Sequence, residues 1–145
     1  MTVVVQVATE ATDELIDAFA RLLPQLSRSA IALDRTALAL ILSHDANTIF
    51  VARDAAGAIV GTLTLVVTPI PSGLRARIED VVVDAGARGL GIGGRLIEAA
   101  IAEARTAGVR TLDLTSRPER DAAGRLYERL GFRQRDSRLY RHGGE

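Results

Sequence analysis

Val81-Val82-Val83-Asp84-Ala85-Gly86-Ala87-Arg88-Gly89-Leu90-Gly91-Ile92-Gly93-Gly94-Arg95-Leu96 is the stretch that decides how this chain folds. Three valines close a buried strand, a glycine-rich turn follows, and a helix begins. Glycines let a backbone approach a ligand closely and take positive φ. The first amides of a helix have no intrahelical partner and carry partial positive charge. Strand, turn and helix together make an anion site suited to a phosphate or pyrophosphate.

Outward from that stretch, the pattern gives a strand on each side. Arg75–Val83 alternates at its start and runs apolar at its end, as a buried strand does. Leu96, Ile97, Ala100, Ile101 and Ala104 mark a helix that closes at Gly108, and Val109–Leu114 is a short strand. Ser116-Arg117-Pro118-Glu119 fits a capping box, opening a helix through Leu126, Tyr127 and Leu130 to Gly131. Phe132–Arg141 supplies the last strand.

Upstream, Val3, Val4, Val5 and Val7 read as a first strand. Thr12-Asp13-Glu14 starts a helix carrying Leu15, Ile16, Phe19, Leu22, Leu23 and Leu26, which Pro24 ends or kinks. Asp34 caps a second helix with Leu38, Leu40, Ile41 and Leu42. Thr48–Asp54 and Ala58–Thr68 form a hairpin across Ala55-Ala56-Gly57, and Pro69–Gly73 is a loop. The order β-α-α-β-β-β-α-β-α-β predicts a mixed sheet with helices packed on it, an α+β fold.

Composition narrows the function. The 145 residues suit one domain, residues 1–145. With no cysteine there is no disulfide framework, cysteine nucleophile or thiolate metal site. His44 and His142 lack metal-ligand spacing, so no metal is expected. The 18 basic residues are all arginine and balance 18 acids. Net charge therefore gives no pull toward nucleic acid or membrane. The absence of lysine excludes Schiff-base and P-loop chemistry; a GC-rich coding sequence accounts for it. Apolar runs are too short to span a membrane, and the amino terminus has no basic start before its apolar residues, so a cytoplasmic location is expected.

Two patterns compete for the glycine turn. Gly89-Leu90-Gly91-Ile92-Gly93-Gly94 matches G-x-G-x-x-G, the dinucleotide fingerprint, with Asp113 near the place of a ribose acid. In that fold, however, the strand runs straight into the first glycine, whereas Asp84–Arg88 intervene here. The alternative is R-x-x-G-x-G, formed by Arg88, Gly91 and Gly93. Val83-Asp84-Ala85-Gly86-Ala87-Arg88-Gly89-Leu90-Gly91-Ile92-Gly93 resembles the cofactor motif of the GNAT (Gcn5-related) N-acetyltransferases, departing at Ala85, where the family usually has proline. A second signature of that family is matched by Ala122 or Ala123, Leu126, Tyr127, Glu128, Gly131 and Phe132. The resemblance is close from Arg75 to Arg141.

The resemblance implies the GNAT fold: a mixed, largely antiparallel sheet of six to seven strands flanked by about four helices. It implies acetyl-CoA as cosubstrate, lying between the splayed parallel strands Arg75–Val83 and Val109–Leu114. Backbone of Val81, Val82 and Val83 would pair with the pantetheine. The amides of Arg88, Gly89, Leu90, Gly91, Ile92, Gly93 and Gly94 would hold the pyrophosphate. Arg88's side chain is either structural or reaches a phosphate. Arg120 stands where the family often has a CoA-contacting asparagine, and Arg117 matches an arginine common in relatives. Either arginine meets a phosphate or an anionic substrate, or neither.

Tyr127 resembles the family's general acid. A phenol of pKa ~10 giving its proton to a thiolate of pKa ~8.5 is uphill by roughly 2 kcal/mol, so a hydrogen bond to the developing thiolate is the safer role. The acceptor amine, with pKa near ~10.4, costs about 4–5 kcal/mol to deprotonate at pH 7. A carboxylate base is useful, and Glu79 and Asp80 are the candidates, Glu79 favoured. Strict alternation would put Glu79 on one face with Arg77, Val81 and Val83, and Asp80 on the other. Arg77 stands where many protein acetyltransferases of the family carry a catalytic glutamate.

The partner implied is a primary amine acceptor, with no nucleic acid or membrane, and a monomer or homodimer. A non-catalytic acyl-CoA-binding module on the same fold is the alternative, with a dinucleotide enzyme behind it. Charge is asymmetric: Met1–Leu74 has four arginines against seven acids, and Arg75–Glu145 fourteen against eleven. The positive half holds the phosphate motif, which suits an anionic cofactor and a cationic acceptor.

Overall fold

The computed structural model describes residues 2–116 and 121–144. These fall into two compact units, divided between Thr115 and Ser116. The first contains β1 (Val4–Ala8), α1 (Asp13–Leu26), α2 (Arg35–Ser43), β2 (Asn47–Arg53), β3 (Ile59–Ile70), β4 (Gly73–Val83), α3 (Ile92–Ala107) and β5 (Thr111–Asp113). The second contains α4 (Asp121–Arg129) and the residues after it.

Local chemistry sets the helix boundaries. The Thr12 hydroxyl accepts from the Leu15 amide at 3.1 Å, and Asp13 and Glu14 occupy the first turn of α1. The helix runs past Pro24 to Leu26. Asp34 caps α2 by accepting from Ala37 at 2.8 Å. Gly108 ends α3 in the left-handed region, its amide bonded to Ala104 and Arg105 carbonyls. Between β2 and β3, the Asp54 carboxylate accepts from the Ala56 and Ala58 amides, each at 3.0 Å, and fixes the turn.

The sheet order is β1-β2-β3-β4-β5. Every pair is antiparallel except β4 with β5, which is parallel, the crossover being α3. Among the described residues there are thus five strands where six to seven were expected. Phe132–Arg141 forms no strand: Arg133, Arg135, Arg138 and Arg141 give it no apolar face to bury. The β3–β4 turn is also shorter than the expected loop, because Pro69 pairs with Leu74 and Ile70 with Gly73.

Helices cover both faces of the sheet. One face carries Ile49, Val51 and Val82 in a core with Leu15, Ala18, Phe19 and Leu22 of α1 and Leu38 of α2. Thr62, opposite Val82, is the one buried polar side chain among the described residues, and its hydroxyl makes no protein hydrogen bond. The other face packs on α3, through Ile92, Leu96, Ile97, Ala100 and Ala104. At the end of β2, Arg53 donates to both carboxylate oxygens of Glu14 and to Gln6. Those hydrogen bonds hold the Glu14 carboxyl below its ordinary value.

Gly61 lets α3 approach β3. A Cβ there would lie 3.1 Å from Ile92 Cγ2, 3.2 Å from Leu96 Cδ1 and 3.3 Å from the Val82 carbonyl. Gly61→Ala is expected to destabilise the protein by about 1–3 kcal/mol through overpacking, measured by urea unfolding; an unchanged midpoint would mean that α3 is not held this closely.

Candidate functional site

The site grows from β4 outrunning its neighbours. On one edge, β4 pairs with β5 only at Arg75, Ala76 and Arg77. On the other, Glu79 pairs with Thr64 and Val82 with Thr62, so Asp80 and Val81 together face Leu63. This is a β-bulge. Asp80 is its strained member, at φ 51, a left-handed conformation that aspartate tolerates better than most residues.

The bulge corrects the expected facing of side chains. Thr62 and Thr64 share a face of β3, so their partners Val82 and Glu79 share it too. Val83, opposite Gly61, lies on the α3 face. Glu79 therefore keeps Arg77 as a same-face neighbour and loses Val83. The Arg77 guanidinium stands 3.7 Å from the Glu79 carboxylate, with both side chains about half exposed. Such a pair is screened by water and holds Glu79 only loosely. Asp80 is exposed.

After Val83 the chain leaves the sheet through a bond from the Asp84 amide to the Val60 carbonyl at 2.8 Å. A short 3-10 turn, Ala85–Ala87, follows. It is fastened to α1, a link no sequence pattern announced. Gln25 Oε1 accepts from the Ala85 amide at 2.9 Å, and Gln25 Nε2 donates to Asp84 at 3.3 Å. Arg21 stands 3.7 Å from the same carboxylate. Neither Asp84 nor Gln25 was singled out by the sequence pattern.

Gly89 and Gly91 then take φ 84 and 76. Gly91 is the N-cap of α3, and among the described residues no side chain caps that helix. The first helical bond runs from the Arg95 amide to the Gly91 carbonyl at 3.1 Å. The amides of Ile92, Gly93 and Gly94 thus open the helix without a side-chain acceptor. A Cβ built at Gly86, Gly89 or Gly91 would meet nothing within 4 Å. The space over the turn is open, and the donors suit an anion. Arg88 is exposed beside it. These features suit an anion such as a phosphate, and among the described residues the β5 side of β4 is unpaired beyond Arg77, which suits an added strand-like ligand.

Tyr127 belongs to the second unit and is half-buried on α4. Its setting explains the spacing of the second signature. The Phe132 amide bonds the Tyr127 carbonyl at 3.0 Å, the Gly131 amide bonds Glu128 at 3.1 Å, and Gly131 has φ 96. This helix ending needs glycine at that step and folds the next residue back onto the helix. The Tyr127 and Phe132 rings accordingly meet edge to face, with centroids 6.2 Å apart. Arg117 and Arg120, with Pro118 and Glu119 of the expected capping box, lie outside the described residues.

Comparison with known proteins identifies the family and the fold. The family described as "Acetyltransferase (GNAT) family" matches residues 9–132. No curated protein matches the sequence significantly. Among solved structures, a transcriptional regulator from Bacillus halodurans C-125 is 29% identical, over 98% of this chain and 100% of that chain, with TM-score 0.82. An acetyltransferase from Trypanosoma brucei is 27% identical, over 97% and 99%, with TM-score 0.80. A glucosamine-6-phosphate N-acetyltransferase from Arabidopsis thaliana is 22% identical, over 98% and 99%, with TM-score 0.82, a likeness of fold alone.

The turn itself can be tested by its backbone. Gly91→Ala is expected to cost ~1–2 kcal/mol, the price of a left-handed non-glycine residue. Gly86→Ala, with open space and no left-handed φ, is expected to stay within about 0.5 kcal/mol. Guanidinium unfolding of the two variants measures the difference; equal costs would contradict the left-handed cap.

Proposed function

The chain belongs to the acetyltransferase (GNAT) family, and on that premise we propose that it moves the acetyl group of acetyl-CoA directly to a primary amine. The observation that carries this reading is the uncapped start of α3 behind Gly89 and Gly91, at the end of a strand whose edge is unpaired beyond Arg77. Acetyl-CoA supplies an activated acyl group as its thioester. The transfer forms one N–C bond and breaks one C–S bond; a proton leaves the amine and one reaches the sulfur.

The residues divide this work. Backbone amides from Arg88 to Gly94 neutralise pyrophosphate charge without the cost of reorganising side chains. Val81, Val82 and Val83 offer main-chain groups along the β4 edge. Glu79 takes the amine proton, directly or through water, with Asp80 as the competing carboxylate. Tyr127 donates a hydrogen bond to the departing sulfur. Arg88 and Arg120 add positive charge for the phosphates.

The experiment is release of CoA thiol from acetyl-CoA over peptides, polyamines, amino sugars and aminoglycosides, corrected for hydrolysis. Amine-dependent release is expected. Binding of acetyl-CoA without any amine-dependent release would leave an acyl-CoA-binding module instead.

Variants separate the roles. Tyr127→Phe is expected to lower kcat by about a hundredfold, within the range of acid–base groups, with little change in acetyl-CoA affinity. Unchanged turnover would remove its role. Glu79→Gln should depress the rate most at low pH, where more of the amine is protonated. Asp80→Asn keeps a residue that tolerates the left-handed bulge, so a loss there larger than at Glu79 would transfer the base to Asp80.

A further inference from the structure

The face of β4 that carries Glu79 also carries Arg75 and Arg77. Register places the three opposite Thr64, Val66 and Thr68 of β3, and Arg75 and Arg77 opposite Thr111 and Asp113 of β5. With a rise of ~3.3 Å per residue, neighbouring members of the row are roughly 7 Å apart. The row therefore reads cation, cation, carboxylate toward the bulge and the glycine turn.

The hydroxyl partners of these arginines hold them without cancelling their charge. Arg75 donates to the Thr111 hydroxyl and to the Ser72 hydroxyl, both at 3.0 Å. Arg77 donates to the Thr115 hydroxyl at 2.8 Å, and its only ion pair among the described residues is the long contact to Glu79. Arg110, beside the same end of the row, donates to the Ser72 carbonyl at 2.7 Å. Ordinary surface arginines swing freely through solvent. Here hydroxyls fix two guanidinium forks on one strand and leave further N–H donors of each for a ligand.

We propose that Arg75 and Arg77 select an acceptor whose amine is accompanied by an anionic group, a carboxylate or a phosphate. The inference rests on the acetyltransferase reading and names the substrate class of that same site. The acceptor amine lies at Glu79, and its anion lies back along β4 toward the guanidinium groups. Charge-assisted, bidentate contacts to carboxylate or phosphate are the interaction arginine makes best. This departs from the expectation of a cationic acceptor, because the charged side chain paired with Glu79 is an arginine.

The test compares kcat/KM with acetyl-CoA for matched acceptors: γ-aminobutyrate against butylamine, and phosphoethanolamine against ethanolamine. The anionic member of at least one pair is expected to win by about ten- to a hundredfold, the worth of a charged hydrogen bond. Which pair shows the preference tells carboxylate from phosphate. Arg77→Gln should lower that ratio about tenfold, Arg77→Lys should restore part of it, and Arg75→Gln provides an independent variant. Melting temperatures of the variants show whether each is folded. No anion preference in either pair, or a ratio unmoved in both folded glutamine variants, would overturn the inference and leave the transferase reading standing. Failure of every amine to release CoA would overturn that reading as well, and is a distinct result.

Discussion

Backbone groups that end a strand without partners must be satisfied by something. That constraint shapes this molecule. β4 has eleven residues, yet β5 takes up only three of them. A bulge at Asp80 and Val81 disturbs its other edge as well. Directly beyond, α3 begins without a side-chain cap. Donors and acceptors that most folds close internally are thus concentrated along one strand end and one helix start. The proposed cosubstrate, a long, amide-bearing, phosphorylated ligand, would answer both needs at once.

The rest of the first unit holds that arrangement in place. Gly61 sets the depth of α3 against the sheet, and so the position of the helix start. Gln25 and Arg21 tie α1 to Asp84 and Ala85, the entrance to the glycine turn. The helix that covers one face of the sheet is thereby joined to the loop proposed to hold the cosubstrate. Movement of α1 is expected to be felt at the turn, because the Gln25 bond to the Ala85 amide is short and ends on backbone.

Features governed by local chemistry were legible in the sequence. Thr12, Asp34 and Gly108 act on their own helix ends, so residue type and position sufficed. The glycine turn was legible for the same reason, since a strand, left-handed glycines and an amphipathic helix are all local patterns. The bulge was not. Strict alternation gives the wrong face for Val83, because only pairing with Thr62 and Thr64 reveals the extra residue. The polar bond from Gln25 to Ala85 spans α1 and the far end of β4 and leaves no periodic trace. Phe132–Arg141 was misread because order in the chain suggested another strand, while its arginines offer no apolar face. Glu79, Asp80 and Tyr127 were named from the sequence as candidates, and Arg75 and Arg77 gained their proposed role only when their hydroxyl partners were placed.

The central claim is that the turn from Arg88 to Gly94 takes the pyrophosphate of acetyl-CoA. Thermal unfolding with acetyl-CoA or with NAD tests it most directly. Acetyl-CoA at ~100 times its Kd should add about 2.7 kcal/mol of stability and raise the Tm accordingly, while NAD leaves it unmoved. A shift with NAD and none with acetyl-CoA would contradict the account.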